Sequence, residues 1–109
     1  MISGTQYKQG DVLIAPFPFT NLAQSKHRPV LVLSESCSGD LVTCGMTSKL
    51  RQNKNAVIVR NLKHGMLPVK SRIQVDKLFT LEKRIIRKRL GSLKKETMEE
   101  VKKKFRALV

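Results

Sequence analysis

Acidic residues are scarce in this sequence. Its 109 residues include eight Asp and Glu against 22 Lys and Arg, a formal net charge of +14. A field of this sign implies an anionic partner, such as nucleic acid or an acidic protein, although a merely solubilising surface is the alternative. Metal-dependent nucleases hold Mg²⁺ with several carboxylates, and few are available here. No nucleotide fingerprint is present either, so we expect neither a metal nor a cofactor.

Cysteines, aromatic residues and long apolar runs are also few. Cys37 and Cys44 are too few for a disulfide framework, and they form no CxxC pair or zinc-like cluster with His. We expect both thiols to be reduced, with Cys44 inside a strand. The sequence has no Trp, one Tyr and four Phe, which predicts an aliphatic core. No run reaches membrane-spanning length and the start lacks an apolar signal region, so we expect a cytoplasmic protein without a membrane partner.

Short apolar segments separated by turn residues predict a β-rich fold. We predict five strands, at residues 12–17, 28–34, 41–49, 56–61 and 71–81. Pro29, near the start of the second, favours a first-residue or edge position. Residues 62–68, with the sequence LKHGMLP, are typical of a turn, and Gly45 indicates a bulge or a close backbone approach in the third strand.

The last segment changes period. Met98, Val101, Phe105 and Leu108 recur at spacings of three, four and three, which predicts an amphipathic helix docked on the domain. Residues 82–91 before it indicate one more helical turn, ended by Gly91. We therefore expect one α+β domain over residues 1–109, built as a small, strongly curved sheet or β-barrel with short helices and a C-terminal amphipathic helix.

The stretch HRPVLVLS, residues 27–34, places an arginine at the edge of the core. Arg28 and Pro29 precede the aliphatic run 30–33, which is typical of a strand buried on both faces. The planar guanidinium of Arg28 matches two phosphate oxygens and stays charged at any relevant pH. His27 adjoins it, but neighbouring residues on a strand point to opposite faces, so His27 is the weaker candidate for a substrate contact.

Hydroxyl residues close the next predicted strand, in MTSKL at residues 46–50. A hairpin turn near residues 37–40 would bring Thr47 opposite Arg28, where its hydroxyl could bond a phosphate. Metal-free cleavage is practical for RNA, because the 2′-hydroxyl is an internal nucleophile. The protein then needs charge on the phosphoryl oxygens and a group that moves protons. The alternative is that Thr47 and Ser48 simply begin a loop.

Three segments together resemble a known family. GDVLIAPFPFTNLAQSKHRPVLVLS, residues 10–34, is similar to the opening of the MazF/PemK (Kid-like) toxins of type II toxin–antitoxin systems. MTSKL is similar to the Thr-Ser segment of that family. SRIQVDKLFTLEKRIIRKRLGSL, residues 71–93, is similar to its late strand, its Thr-Leu turn and its Gly-Leu entry to the final helix. The likeness covers nearly the whole chain in the same order.

The resemblance implies an SH3-like barrel that is usually a homodimer. It also implies a sequence-specific endoribonuclease that cuts single-stranded mRNA without metal, leaves a 2′,3′-cyclic phosphate and a 5′-hydroxyl, and is inhibited by an acidic, partly disordered antitoxin. Arg28 and Thr47 fall on the catalytic arginine and threonine of the family, and Asp76 on an acidic position that some members use. Two departures concern its neighbours: Gln74 stands where some members have a base, and Lys77 where many have Gln.

The remaining candidates are RNA-binding residues. Residues 21–26 are the predicted RNA-facing or gating loop. The basic residues after Thr47 are predicted to form the wall that follows the RNA backbone. The full set is Thr20, Asn21, Lys26, His27, Ser48, Lys49, Arg51, Lys54, Gln74 and Lys77. Two alternatives stay open: a non-catalytic barrel that binds nucleic acid, and a toxin of the same fold that inhibits DNA gyrase. The second would use the C-terminal helix and leave Phe105 and Leu108 more exposed than core packing predicts.

Overall fold

The computed structural model describes residues 6–17, 26–49, 54–67 and 70–109. Within these ranges the chain forms seven β-strands, a 3₁₀ helix at Lys83–Ile85 and the helix α1 at Lys95–Leu108. The strands are β1 (Asp11–Phe17), β2 (Lys26–Glu35), β3 (Leu41–Thr47), β4 (Ala56–Val59), β5 (His64–Gly65), β6 (Ser71–Leu81) and β7 (Lys88–Ser92).

The strands make one antiparallel sheet in the order β4-β6-β3-β2-β1-β7-β5. The sheet curls into a partly closed barrel with one C-terminal helix, so the predicted α+β fold with a small curved barrel is confirmed. Among the described ranges, no helix is long and apolar enough to span a lipid bilayer.

Core residues cover both faces of the curled sheet. On one face Val12, Leu31, Cys44 and Met46 belong to a cluster that Met98 and Val101 of α1 also join. The other face carries a second cluster, whose buried members are Leu13, Ala15, Val30, Val32, Leu41 and Leu81. The run 30–32 therefore alternates between the two clusters, which is the both-faces burial that its aliphatic composition predicted.

Strand β2 differs from its prediction at Pro29. The strand begins at Lys26 and lies inside the sheet between β1 and β3, so Pro29 is neither its first residue nor on an edge. The described register joins β2 to β3 only from Val30 onward. Pro29 thus lies beyond that ladder, where the lack of an N–H donor costs the described β2–β3 pairing no hydrogen bond.

The segment before α1 is mostly strand, so the prediction of a helical turn through to Gly91 was wrong. The 3₁₀ helix ends at Ile85, and β7 then pairs with β1. Ile85 and Ile86 pack on the second core cluster, which holds the turn against the sheet. The turn predicted at residues 62–68 also contains the two-residue strand β5, which pairs with β7.

The Gly10–Asp11 pair has a structural role. The side chain of Asp11 is buried, and its Oδ2 accepts a hydrogen bond from the backbone N–H of Lys8 at 3.0 Å. Arg89 Nε lies 3.4 Å from the same oxygen, and its guanidinium stacks over the Tyr7 ring. These contacts fasten the start of β1 to β7.

Candidate functional site

Arg28 and Thr47 lie opposite each other on neighbouring strands. The β2–β3 register pairs Val30 with Gly45 and Leu31 with Cys44. When this register is continued by two residues along each strand, it places Arg28 opposite Thr47, as the hairpin count predicted. Directly opposed residues share a face of the sheet and have Cβ atoms about 5 Å apart. The prolonged strand β2 and the end of β3 therefore bring the guanidinium and the hydroxyl to one place.

A cleft of about 230 Å³ opens at this end of the two strands. It is lined by His27, Arg28, Pro29, Met46, Thr47, Ser48, Lys49 and Ser71. Consecutive residues of both strands contribute, so the cleft covers the end of the ladder and not a single face. His27 is exposed and lines the cleft together with Arg28, although strand alternation sends their side chains to opposite faces.

The hydroxyl of Thr47 is held by a turn of its own. The backbone N–H of Lys49 donates to Thr47 Oγ1 at 3.1 Å. This bond fixes the side chain and occupies one lone pair of the oxygen, while the O–H proton is left to be donated. Thr47 and Arg28 are half-buried, whereas Ser48 and Lys49 are exposed at the rim. Among the described residues that line the cleft, hydrogen-bond donors are present and carboxylates are not.

Strand β6 adds two residues that sequence reasoning missed. Arg72 pairs directly with Thr47, so Arg28, Thr47 and Arg72 form a row across three neighbouring strands on one face. Gln74 pairs with Gly45 one step along, which places this predicted RNA contact on the same face. Ser71 lines the cleft and is only 2% exposed. No local motif marks Arg72 or Ser71, because the β3–β6 pairing that brings them to the site is long-range.

Asp76 and Lys77 lie outside this row. Cys44 pairs with Leu78 and Gly45 with Gln74, so residues 75–77 of β6 form a bulge with no partners on β3. Both Asp76 and Lys77 are exposed there, and neither belongs to the lining of the cleft. The structure thus unites Arg28 and Thr47 but leaves the predicted acid beside the site.

The other predicted contacts have varied positions. The carbonyl of Lys54 accepts a hydrogen bond from Lys104 Nζ at 2.8 Å, so Lys54 lies against α1 and not at the cleft. Lys26 begins β2, and its side chain is outside the description. Thr20, Asn21 and Arg51 fall outside the described residues.

The C-terminal helix is docked for most of its length. Met98 and Val101 are buried, and Phe105 packs against the first core cluster, as the helical spacing predicted. Only Leu108, at 39% exposure, departs from that expectation. The exposure of Phe105 that a target-binding helix would require is therefore not found.

Known proteins share the fold. The chain resembles MazF from Deinococcus radiodurans at 23% identity and a TM-score of 0.76, over 96% of this chain and 97% of that one. It resembles an endoribonuclease in complex with its cognate antitoxin from a Mycobacterial species at 18% and 0.72, over 94% and 93%. A MazE–MazF complex from D. radiodurans gives 24% and 0.72, over 96% of each chain.

The sequence itself also places the chain in a family. No curated protein matches it at a significant level. The model of the PemK-like, MazF-like toxins of type II toxin–antitoxin systems, however, matches residues 8–109, nearly the whole chain. This is the family that the Arg-Pro and Thr-Ser segments indicated. The chain belongs to the PemK-like, MazF-like toxin family of type II toxin–antitoxin systems.

Proposed function

We propose that this protein is a metal-independent, sequence-specific endoribonuclease that cleaves single-stranded mRNA as the toxin of a type II module. The observation that carries the proposal is the placement of Arg28 opposite Thr47, beside a cleft at the end of interior strands. A structural neighbour of the same fold is described as an endoribonuclease in complex with its antitoxin. The net charge of +14 suits both RNA and an acidic partner.

In the proposed reaction the RNA supplies its own nucleophile. The 2′-hydroxyl loses its proton and attacks the adjacent phosphorus, and the bond from phosphorus to the 5′-oxygen breaks. The products are a 2′,3′-cyclic phosphate and a 5′-hydroxyl, whose oxygen takes up a proton. Arg28 donates its fork of N–H groups to the phosphoryl oxygens, where negative charge builds up in the transition state.

Thr47 acts in this scheme as a donor. Its Oγ1 already accepts the Lys49 N–H, so its own proton is directed to a phosphoryl oxygen. The always-charged guanidinium of Arg28 is unsuited to accept the 2′-hydroxyl proton. Asp76 is our candidate for that task, since the bulge leaves its side chain exposed on the strand that carries Arg72.

The partners follow from the same surface. We propose a cytoplasmic homodimer in which residues 1–109 form a single toxin domain and an acidic, partly disordered antitoxin covers the cleft. Ser48 and Lys49 at the rim and Gln74 on the neighbouring strand contact RNA beyond the scissile phosphate. An antitoxin carboxylate would meet the same donors as an RNA phosphate, which accounts for inhibition by occupation of the cleft.

The test is cleavage of a long, end-labelled single-stranded RNA in excess EDTA. Wild type should give discrete cuts with 2′,3′-cyclic phosphate ends. Arg28→Ala and Thr47→Ala should each lower the cleavage rate at least about 100-fold. Thr80→Ala, which alters an exposed threonine of β6, is the matched control and should cut normally. Intact RNA with salt-sensitive binding would replace the proposal with a non-catalytic RNA-binding barrel.

A further inference from the structure

Arg72 occupies a position that the proposed mechanism does not use. Its direct pairing with Thr47 puts it on the face of the sheet that carries Arg28. Neighbouring strands lie about 4.8 Å apart, so the two arginines start from backbones about 10 Å apart with Thr47 between them. Their side chains are long enough for both guanidinium groups to reach a single group above Thr47.

The electrostatics of this row favour an anion. Two guanidinium groups that rise from the same face, over backbones about 10 Å apart, repel each other, and partial burial weakens the screening of this repulsion by salt. Both Arg28 and Arg72 are half-buried. Thr47 and Ile58 pair directly with Arg72, and Gln74 lies one step along the same face; none of these three residues is acidic. A bound phosphate would offset the repulsion and accept hydrogen bonds from both forks.

We infer that Arg72 is a second phosphate-binding arginine of the site, which contacts the scissile phosphate from the side opposite Arg28. The inference rests on the proposed function, because it takes RNA as the substrate. It also gives the β6 strand a direct part in cleavage. The long-range pairing of β6 with β3 then completes the site that the β2–β3 hairpin begins.

Cleavage kinetics in EDTA and RNA binding, measured together, test the inference. Arg72→Gln should lower kcat about 100-fold, the size expected when one donor to a developing oxyanion is removed. Binding is measured with a 2′-O-methyl RNA of the substrate sequence, which lacks the attacking hydroxyl. The slope of log K against log salt should shrink by about 0.7, since one phosphate contact is lost. Arg72→Lys should retain the slope and still lose cleavage, because it keeps the charge without the fork.

Arg106→Gln is the matched control. Arg106 is exposed in the last turn of α1, which packs on the opposite face of the sheet. Arg106→Gln should leave kcat within about twofold of the wild-type value, because this substitution removes the same charge far from the row. An Arg72→Gln protein with the kcat and the slope of the wild type would overturn the inference. So would a loss of kcat at an unchanged slope, or a reduced slope at normal kcat.

Two further results keep the test decisive. If Arg72→Gln fails to fold by urea denaturation, Arg72→Lys decides alone, and wild-type kcat in that variant overturns the inference. If the wild type cuts no RNA, the proposed ribonuclease function fails separately. The slopes of log K against log salt then decide whether Arg72 binds phosphate at all. Equal slopes for wild type and Arg72→Gln would refute phosphate binding by Arg72.

Discussion

The backbones of β5 and β7 approach each other closely at Gly65, and this approach makes a sharp stability prediction. Gly65 has φ +80°, and a Cβ placed there would lie 1.8 Å from the carbonyl oxygen of Leu90. That atom is backbone, so Gly65→Ala forces the two strands apart. Gly39, in the β2–β3 turn, has φ +91° and nothing within 4 Å of a placed Cβ. Gly39→Ala therefore measures the conformational cost of a Gly→Ala substitution without a steric clash.

The two costs can be estimated separately. An alanine in the left-handed region costs about 1–2 kcal/mol, which is the whole expected effect of Gly39→Ala. Separation of β5 from β7 also weakens the bonds that flank Gly65, from Lys63 N to Ser92 O at 2.8 Å and from Met66 N to Leu90 O at 3.3 Å. At about 1 kcal/mol for each bond, Gly65→Ala should cost about 3–4 kcal/mol.

Urea denaturation of wild type and both variants measures these losses. We expect the free energy of unfolding to fall about twice as far for Gly65→Ala as for Gly39→Ala, with unchanged m-values. Equal losses in the two variants would refute the reasoning, because they would show that the approach of Gly65 to Leu90 carries no cost. A lowered m-value in Gly65→Ala alone would show instead that β5 is already detached in the folded variant.

The other predictions concern buried groups. Burial raises the pKa of the Cys44 thiol to about 12, so a thiol reagent at pH 8 should modify only the exposed Cys37 until urea is added. As the pH rises, the folded state keeps this thiol proton longer than the unfolded state does. The free energy of unfolding should therefore fall by about 1.4 kcal/mol per pH unit above about pH 9. Cys44→Ala should reduce this slope. Asp11→Asn removes the charge beside Arg89 and should lower the free energy of unfolding by about 1–3 kcal/mol in urea; Asp40→Asn, at an only half-buried turn, should leave it nearly unchanged.

The Arg28–Thr47 pair could be predicted because it depends on a local hairpin. The turn is short, with Ser36 N–H bonded to Asp40 O at 2.8 Å, and a short turn fixes the register of the two strands it joins. A count from the turn therefore comes within one residue of the observed register. Continued from Glu35 and Leu41 it would place Arg28 opposite Ser48, and the irregularity between Val32 and Ser34 shifts it by one, to Thr47. Family resemblance and hairpin geometry led to the same two residues.

Arg72 and β7 could not be predicted, for different reasons. Arg72 meets Thr47 through a pairing across 24 intervening residues, and the bulge at residues 75–77 shifts that register in a way no local pattern encodes. The same bulge displaces Asp76 from the row. Strand β7, in contrast, has exposed Lys88 and Arg89 in place of alternating apolar residues, so its basic run is equally compatible with a helical turn.

The position of the site in the sheet explains how its backbone is held. Strands β2, β3 and β6, which carry the row, are each hydrogen-bonded to neighbours on both sides, whereas β4 and β5 form the described edges. Interior strands hold the backbone of these donors in place without a ligand, and preorganised donors are what electrostatic stabilisation of a transition state requires. Strand β5 is separated from β2 by β1 and β7. Gly65→Ala should therefore lower stability while kcat at a temperature where the variant is folded stays at the wild-type value; a matching loss of kcat would show that the edge strand helps to hold the site.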